Sequence, residues 1–195
     1  MGALVLIVTG LAIAHEARAE WLVVPPRPGQ VGLGIQGQYG ALLNSGNFGA
    51  DYGSGAGIAV RVRYRMRYER ALGLSFENQT FDARVAPSAD MDATRTTFFT
   101  AGAEIYQMFD TRTRTTKMLS LGLGLAKLSV KLNDGETAFP VGGDGVFVSA
   151  GGGVEWFFYQ SMAIDASTRY MTVIQDRKLN HDLQLSLGLI FYASY

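Results

Sequence analysis

The chain has 195 residues, 17 Lys plus Arg against 17 Asp plus Glu, and no cysteine. Zero formal net charge points to no nucleic-acid partner, and the lack of thiols excludes a disulfide framework and cysteine chemistry. Only 17% of residues are charged and 24 are glycine, and no apolar run after the amino terminus is long enough for a membrane helix. The length fits one domain.

At the amino terminus, Ala3 to Ala14 is a short apolar block and Ala17-Arg18-Ala19 an A-x-A site. Together they read as a signal peptide over residues 1–19, cleaved before Glu20. No Lys or Arg precedes the block, so the terminal amine or an upstream start codon would have to supply that charge. Residues 20–30 hold Pro25, Pro26 and Pro28 and read as an extended periplasmic leader, because proline denies a strand its donors.

The first strand is expected over Val31 to Leu42, with Val31, Leu33, Ile35 and Tyr39 on one face and Gly32, Gly34, Gln36 and Gln38 on the other. Gly32 to Gly37 matches G-x-G-x-x-G, but it lies inside an alternating strand, whereas nucleotide binding needs a helix to follow. Residues 43–54 read as a polar loop. Gly57 to Tyr68 then organises the chain: Ile58, Val60, Val62, Tyr64, Met66 and Tyr68 line one face, and Arg61, Arg63, Arg65 and Arg67 the other. The third strand, Leu72 to Phe81, puts Glu77 and Gln79 with the arginines. A three-residue turn at Glu69 to Ala71 would match the faces and set Arg63 opposite Glu77.

A second polar loop spans residues 82–93. The fourth strand, Thr96 to Phe109, sends Phe99, Ile105 and Phe109 out and Thr100, Glu104 and Tyr106 in. After a short turn at 110–114, the fifth carries Leu119, Leu121, Leu123 and Leu125 outward. Its parity inverts beyond Ala126, which predicts either a bulge there or exit from lipid. A third loop covers 133–144. The sixth strand, Val146 to Tyr159, has Glu155, Phe147, Phe157 and Tyr159 inward and Val148, Trp156 and Phe158 outward. The seventh, after a turn at 160–162, has Asp165 and Arg169 inward. A last loop at 176–180 leads to the eighth strand, Asp182 to Tyr195.

The reading is all-β: an eight-stranded antiparallel up-and-down transmembrane barrel over residues 31–195. Loss of residues 1–19 leaves 176 residues, 22 per strand, which fits a tilted span plus its connection. Connections alternate long and short. Inside, Arg61, Arg63, Arg65, Arg67 and Arg169 face Glu69, Glu77, Glu104, Glu155 and Asp165 in balance. A soluble lipocalin-like barrel would bury Leu119 to Leu125 and put all these charges in water. The membrane reading keeps arginine off the lipid face, where each costs about 2–4 kcal/mol near the midplane.

The last strand, L-Q-L-S-L-G-L-I-F-Y-A-S-Y, carries Leu187, Leu189 and Phe191 at every second position back from the terminal Tyr195. This resembles the carboxyl-terminal signal read by the barrel-assembly machinery of Gram-negative bacteria. Residues 31–195 resemble, in pattern, the small outer-membrane barrels of the OmpA-transmembrane, OmpX and opacity-protein type. The resemblance implies an integral outer-membrane protein, a monomer reached by Sec-dependent export, with outer-membrane lipid and lipopolysaccharide as partners. It says little about activity; the expectation from the residues is a barrel with no cofactor and no enzyme activity, its role carried by surface loops in adhesion, envelope integrity or surface binding. No peptidoglycan-binding domain follows the barrel pattern, so a cell-wall tether is not implied.

Two other roles are weighed. Lipid A-modifying barrels use a His with a Ser and an acid at the lipid-facing rim. Beyond the signal region the chain has His181, with Asp182 beside it, but Ser186 has the opposite parity. A narrow channel is the other, and inward Phe81, Tyr106, Phe147, Phe157 and Tyr159 argue against a wide pore. Asp134, Glu136 and Asp144 match no calcium-loop spacing, so no metal site is expected. Asn78-Gln79-Thr80 is a glycosylation sequon in form only, within a spanning strand.

Overall fold

The computed structural model describes residues 26–43, 52–83, 93–132, 137–138, 144–175 and 178–193. Its strands are β1 (Val31–Leu42), β2 (Tyr52–Arg67), β3 (Arg70–Ala83), β4 (Ala93–Phe109), β5 (Thr115–Leu132), β6 (Thr137–Ala138), β7 (Asp144–Tyr159), β8 (Met162–Gln175) and β9 (Lys178–Tyr192). Strand β6 only caps Val130 and Lys131 of β5. The other eight pair antiparallel in chain order, and β1 pairs with β9 to close a barrel. Following the register from Gly32 through Arg63, Gly73, Glu104, Gly122, Ser149, Met171 and Asp182 returns to β1 at Leu42, ten residues along the same strand. Ten residues at about 3.3 Å, set against eight spacings of about 4.8 Å, tilt the strands by roughly 40°.

Alternation decides the two faces. The outside carries Leu33, Ile35, Leu74, Ile105, Leu119, Leu123, Leu187 and other large apolar side chains, with Leu125 67% exposed. The inside holds the polar and charged set. Small lumen residues make room for it. A Cβ on Gly73 would stand 2.7 Å from the Tyr106 ring, and one on Gly124 would stand 2.7 Å from Phe147.

The β2–β3 hairpin differs from expectation. Its turn is the two residues Tyr68 and Glu69, and the register shifts between Arg65 and Arg67. The bulged residue supplies the odd count that a three-residue turn would have supplied, so the apolar faces still match. Arg63 therefore lies opposite Gly73, and Glu77 opposite Ala59. In β5 the ladder to β4 runs unbroken through Ala126, Lys127 and Leu128. The parity change marks exit from lipid rather than a bulge.

The strands are also longer than expected at the end where the long connections lie. Strand β2 begins at Tyr52 and β9 at Lys178. A tilted span needs only about 9–11 residues. Above the hydrocarbon neither face need be apolar, so alternation fades while the hydrogen-bond ladder continues. The connection between β8 and β9 is thus only residues 176–177. Of the leader, residues 26–30 are described. Gly29 N–H donates to Arg65 O at 2.7 Å, and Arg65 N–H to Gln30 O at 3.0 Å, which ties the leader to β2. The signal region 1–19 and the rest of the leader lie outside the described residues.

Candidate functional site

The buried charges fall into two groups joined by one tyrosine. Nearer the short turns, Arg63 and Arg65 converge from β2 on Glu155 of β7. Arg63 Nη1 meets Glu155 Oε1, and Arg65 Nη2 lies 2.5 Å from Oε2. Arg63 Nη2 also reaches Asp165 Oδ2 at 3.1 Å. Tyr192 OH donates to Glu155 Oε1 at 2.6 Å, and Arg65 lies 5.3 Å above the Tyr192 ring. The i, i+2 period of β2 makes this possible, because it stacks Arg61, Arg63 and Arg65 along one face.

Toward the long-connection end, Arg169 of β8 bridges two acids: Nη2 meets Glu77 Oε2, and Nη1 lies 2.7 Å from Glu104 Oε1. Arg61 adds a 3.4 Å contact to Glu77. Gln184 Oε1 accepts from Arg169 Nη2 at 2.7 Å, and its Nε2 donates to Gln79 Oε1 at 2.9 Å and Asp182 Oδ2 at 2.7 Å. Tyr106 OH donates to Glu104 while its ring lies under the Arg63 guanidinium, 4.2 Å away. That tyrosine couples the groups. Arg63, Glu155 and Asp165 are completely shielded from solvent.

Two expected members are elsewhere. Arg67 is exposed, because the bulge before it rotates it onto the face of Arg70, its register partner. Glu69 is exposed in the turn. Tyr159, expected inside, is 64% exposed after a register shift between Phe157 and Tyr159. Asp182 and Tyr192 are among the buried residues not foreseen as lumen members. Asp182 sits on β9 between Leu42 and Met171, and Tyr192 is part of the Glu155 cluster. Both share the parity of Gln184. Asp182 was masked by its reading as a strand start beside His181.

Apolar residues close the lumen on either side of the charges. Leu42, Phe81, Phe98, Ala126, Phe147, Met171 and Val173 form a buried layer at the long-connection end, with Phe81 and Phe98 edge to face at 5.1 Å. Near the turns lie the smaller clusters Ala71, Tyr106, Met108 and Met118, and Phe157, Ala163, Ile190 and Tyr192. An eight-stranded interior is just wide enough to be filled in this way. The charges are thus sealed in a low-dielectric band, where a partner lost from either side leaves an uncompensated ion.

Outside, Leu187, Leu189 and Phe191 face away from the lumen, whereas Tyr195 lies outside the described residues. Phe109, Trp156, Phe158 and Tyr68 are exposed at the turn end, where an aromatic girdle suits a membrane interface. His181 is on the outer face. Its Nδ1 lies 2.6 Å from Tyr170 OH and 3.1 Å from Thr172 Oγ1, and its ring stacks on Tyr170 at 5.6 Å. Ser186 is buried on the opposite face. Of the acidic loop residues, only Asp144 is described, and among the described residues no His/Asp/Glu group is placed to hold a metal ion.

A closed sheet with a greasy exterior, aromatic rim and ion-paired interior is an integral membrane β-barrel. The family model described as outer membrane protein beta-barrel domain matches residues 3–191, and the chain belongs to that family, whose place is the bacterial outer membrane. Among solved structures it is similar to Neisserial surface protein A, with 19% identity, TM-score 0.58, and coverage of 84% of this chain and 98% of that one. It is likewise similar to Ail, the attachment invasion locus protein of Yersinia pestis (15% identity, TM-score 0.53, coverage 84% and 99%). OprG of Pseudomonas aeruginosa aligns at 10% identity and TM-score 0.60, covering 88% of this chain and 99% of that one. At such identities the likeness is one of fold. No curated protein sequence matches the chain.

Proposed function

We propose that the protein is a non-enzymatic outer-membrane scaffold whose role is carried by the segments between its strands at the long-connection end. The observation that carries this reading is the sealed lumen. Its charges engage one another between two apolar layers, so they serve register and stability rather than passage or turnover. What is left for recognition is the end bearing residues 44–51, 84–92 and 133–143. That end would face outward and meet lipopolysaccharide, with the short turns in the periplasm. Export by the Sec route, cleavage before Glu20, and recognition of Leu187, Leu189, Phe191 and Tyr195 by the assembly machinery complete the proposed biogenesis of a monomer. The fold shared with Ail, the attachment invasion locus protein, makes attachment the first activity to assay.

The test uses cells displaying the full protein. Replacing each of the three segments by a short Gly-Ser linker should abolish surface attachment or partner capture by at least one variant. Heat-dependent gel mobility, which reports the folded barrel, should be unchanged. Attachment that survives replacement of all three overturns the reading. The rim histidine offers the enzymatic alternative. Mass spectrometry of lipid A should give the same acyl pattern with wild-type protein, with His181→Ala and without the gene, and a His181-dependent change would establish an enzyme instead.

A further inference from the structure

Two apolar grooves run side by side on the outer wall across β2 to β7, sharing Ile105 and Leu121 in their linings. The lower one, about 660 Å³, starts at Met66 and Arg70 beside the Tyr68–Glu69 turn and rises past Gln107 and Leu119 to Ala150. Its depth comes from small residues among large ones, with Ala150 exposed opposite Leu121. At its mouth, Arg67 and Arg70 stand directly opposite each other in the register, both exposed. Like charges in that position repel. Neither forms an ion pair among the described residues, and Glu69 between them pairs with neither.

We infer that this groove and arginine pair form a binding site for one anionic phospholipid of the leaflet that borders the turns. The inference rests on the membrane orientation proposed above. An acyl chain fills the apolar trough, and the headgroup phosphate sits between the two guanidinium groups, each offering a two-pronged set of donors. An anion there converts a repulsive cross-strand pair into a bridged one. The bulge that matches the strand faces also carries Arg67 onto the face of Arg70. Gln107, the other register partner of Arg70, adds a neutral polar group at the same height.

The test is native mass spectrometry of the full protein refolded in maltoside detergent, with equimolar phosphatidylglycerol and phosphatidylcholine. Wild type should retain one phosphatidylglycerol per barrel in preference to phosphatidylcholine by about tenfold or more, as two basic side chains at an anionic surface suggest. Arg67→Gln with Arg70→Gln should bring that preference to within about twofold, and Arg112→Gln with Arg114→Gln, at the neighbouring turn, should leave it intact. Ala150→Leu should lower retention of the lipid while both arginines remain. No preference in wild type, or a preference that survives loss of Arg67 and Arg70, overturns the inference. Failure of wild type to show the heat-dependent gel shift of a folded barrel would instead strike at the membrane reading beneath it.

Discussion

Glu155 is the residue on which the interior turns, since Arg63, Arg65 and Tyr192 all meet on its carboxylate. Replacing it by Gln leaves two shielded guanidinium groups without their main counter-charge, and breaking a buried pair in this way costs about 3–5 kcal/mol. Urea titration of the barrel in detergent should show a loss of that order. Because the groups act together, Arg63→Gln combined with Glu155→Gln should cost less than the sum of the singles, by about 0.5–3 kcal/mol. Strict additivity would mean that the pair does not couple. Gly73 gives a second residue-scale prediction. A methyl group there meets the Tyr106 ring, which is wedged between Arg63 and Glu104. Gly73→Ala should cost about 1–3 kcal/mol in the same titration, the usual range for overpacking. Restoring space with Tyr106→Phe should recover little, since the ring stays and the bond to Glu104 goes.

At the scale of the strand, lipid exposure sets the tolerance of each position. Leu121→Arg, in the middle of β5's outward row, should destabilise the barrel by about 2–4 kcal/mol, whereas Phe109→Arg at the turn end should cost about 0–1 kcal/mol. Equal costs in a bilayer unfolding assay would mean that the leucine row does not sit at the midplane. The same gradient explains what the sequence disclosed. Within the hydrocarbon, two-residue alternation is enforced on every strand, and Arg61, Arg63, Arg65, Glu77, Glu104, Glu155, Asp165 and Arg169 could be assigned inward from it. Beyond that zone the enforcement lapses. The added lengths of β2 and β9 leave no apolar row to mark them, and Asp182, although in step with Gln184, reads as a strand start beside His181. Pairings across the lumen were equally hidden. Alternation gives a side chain its face but not its height, and height depends on a register that the Met66 bulge shifts. Hence Glu77 meets Arg169 and Arg61, and Arg63 meets Glu155 from the far wall.

For the molecule as a whole, apolar clusters on both sides of an ion-paired band predict electrical silence. Planar bilayers containing the purified protein should show no stable porin-sized steps, and regular steps of that size would mean that the Phe81–Phe98–Phe147 layer is not closed in the membrane. The junction of β1 with β9 has a different consequence. The first and last strands of the barrel are neighbours, so an incomplete sheet carries a raw margin of unbonded amides along β1 until β9 pairs with it. A chain cut short by one hairpin is then no smaller cylinder but an adhesive half-pipe. Until that seam shuts, the margin is open to pairing with any other strand, so closure and protection from aggregation are one event.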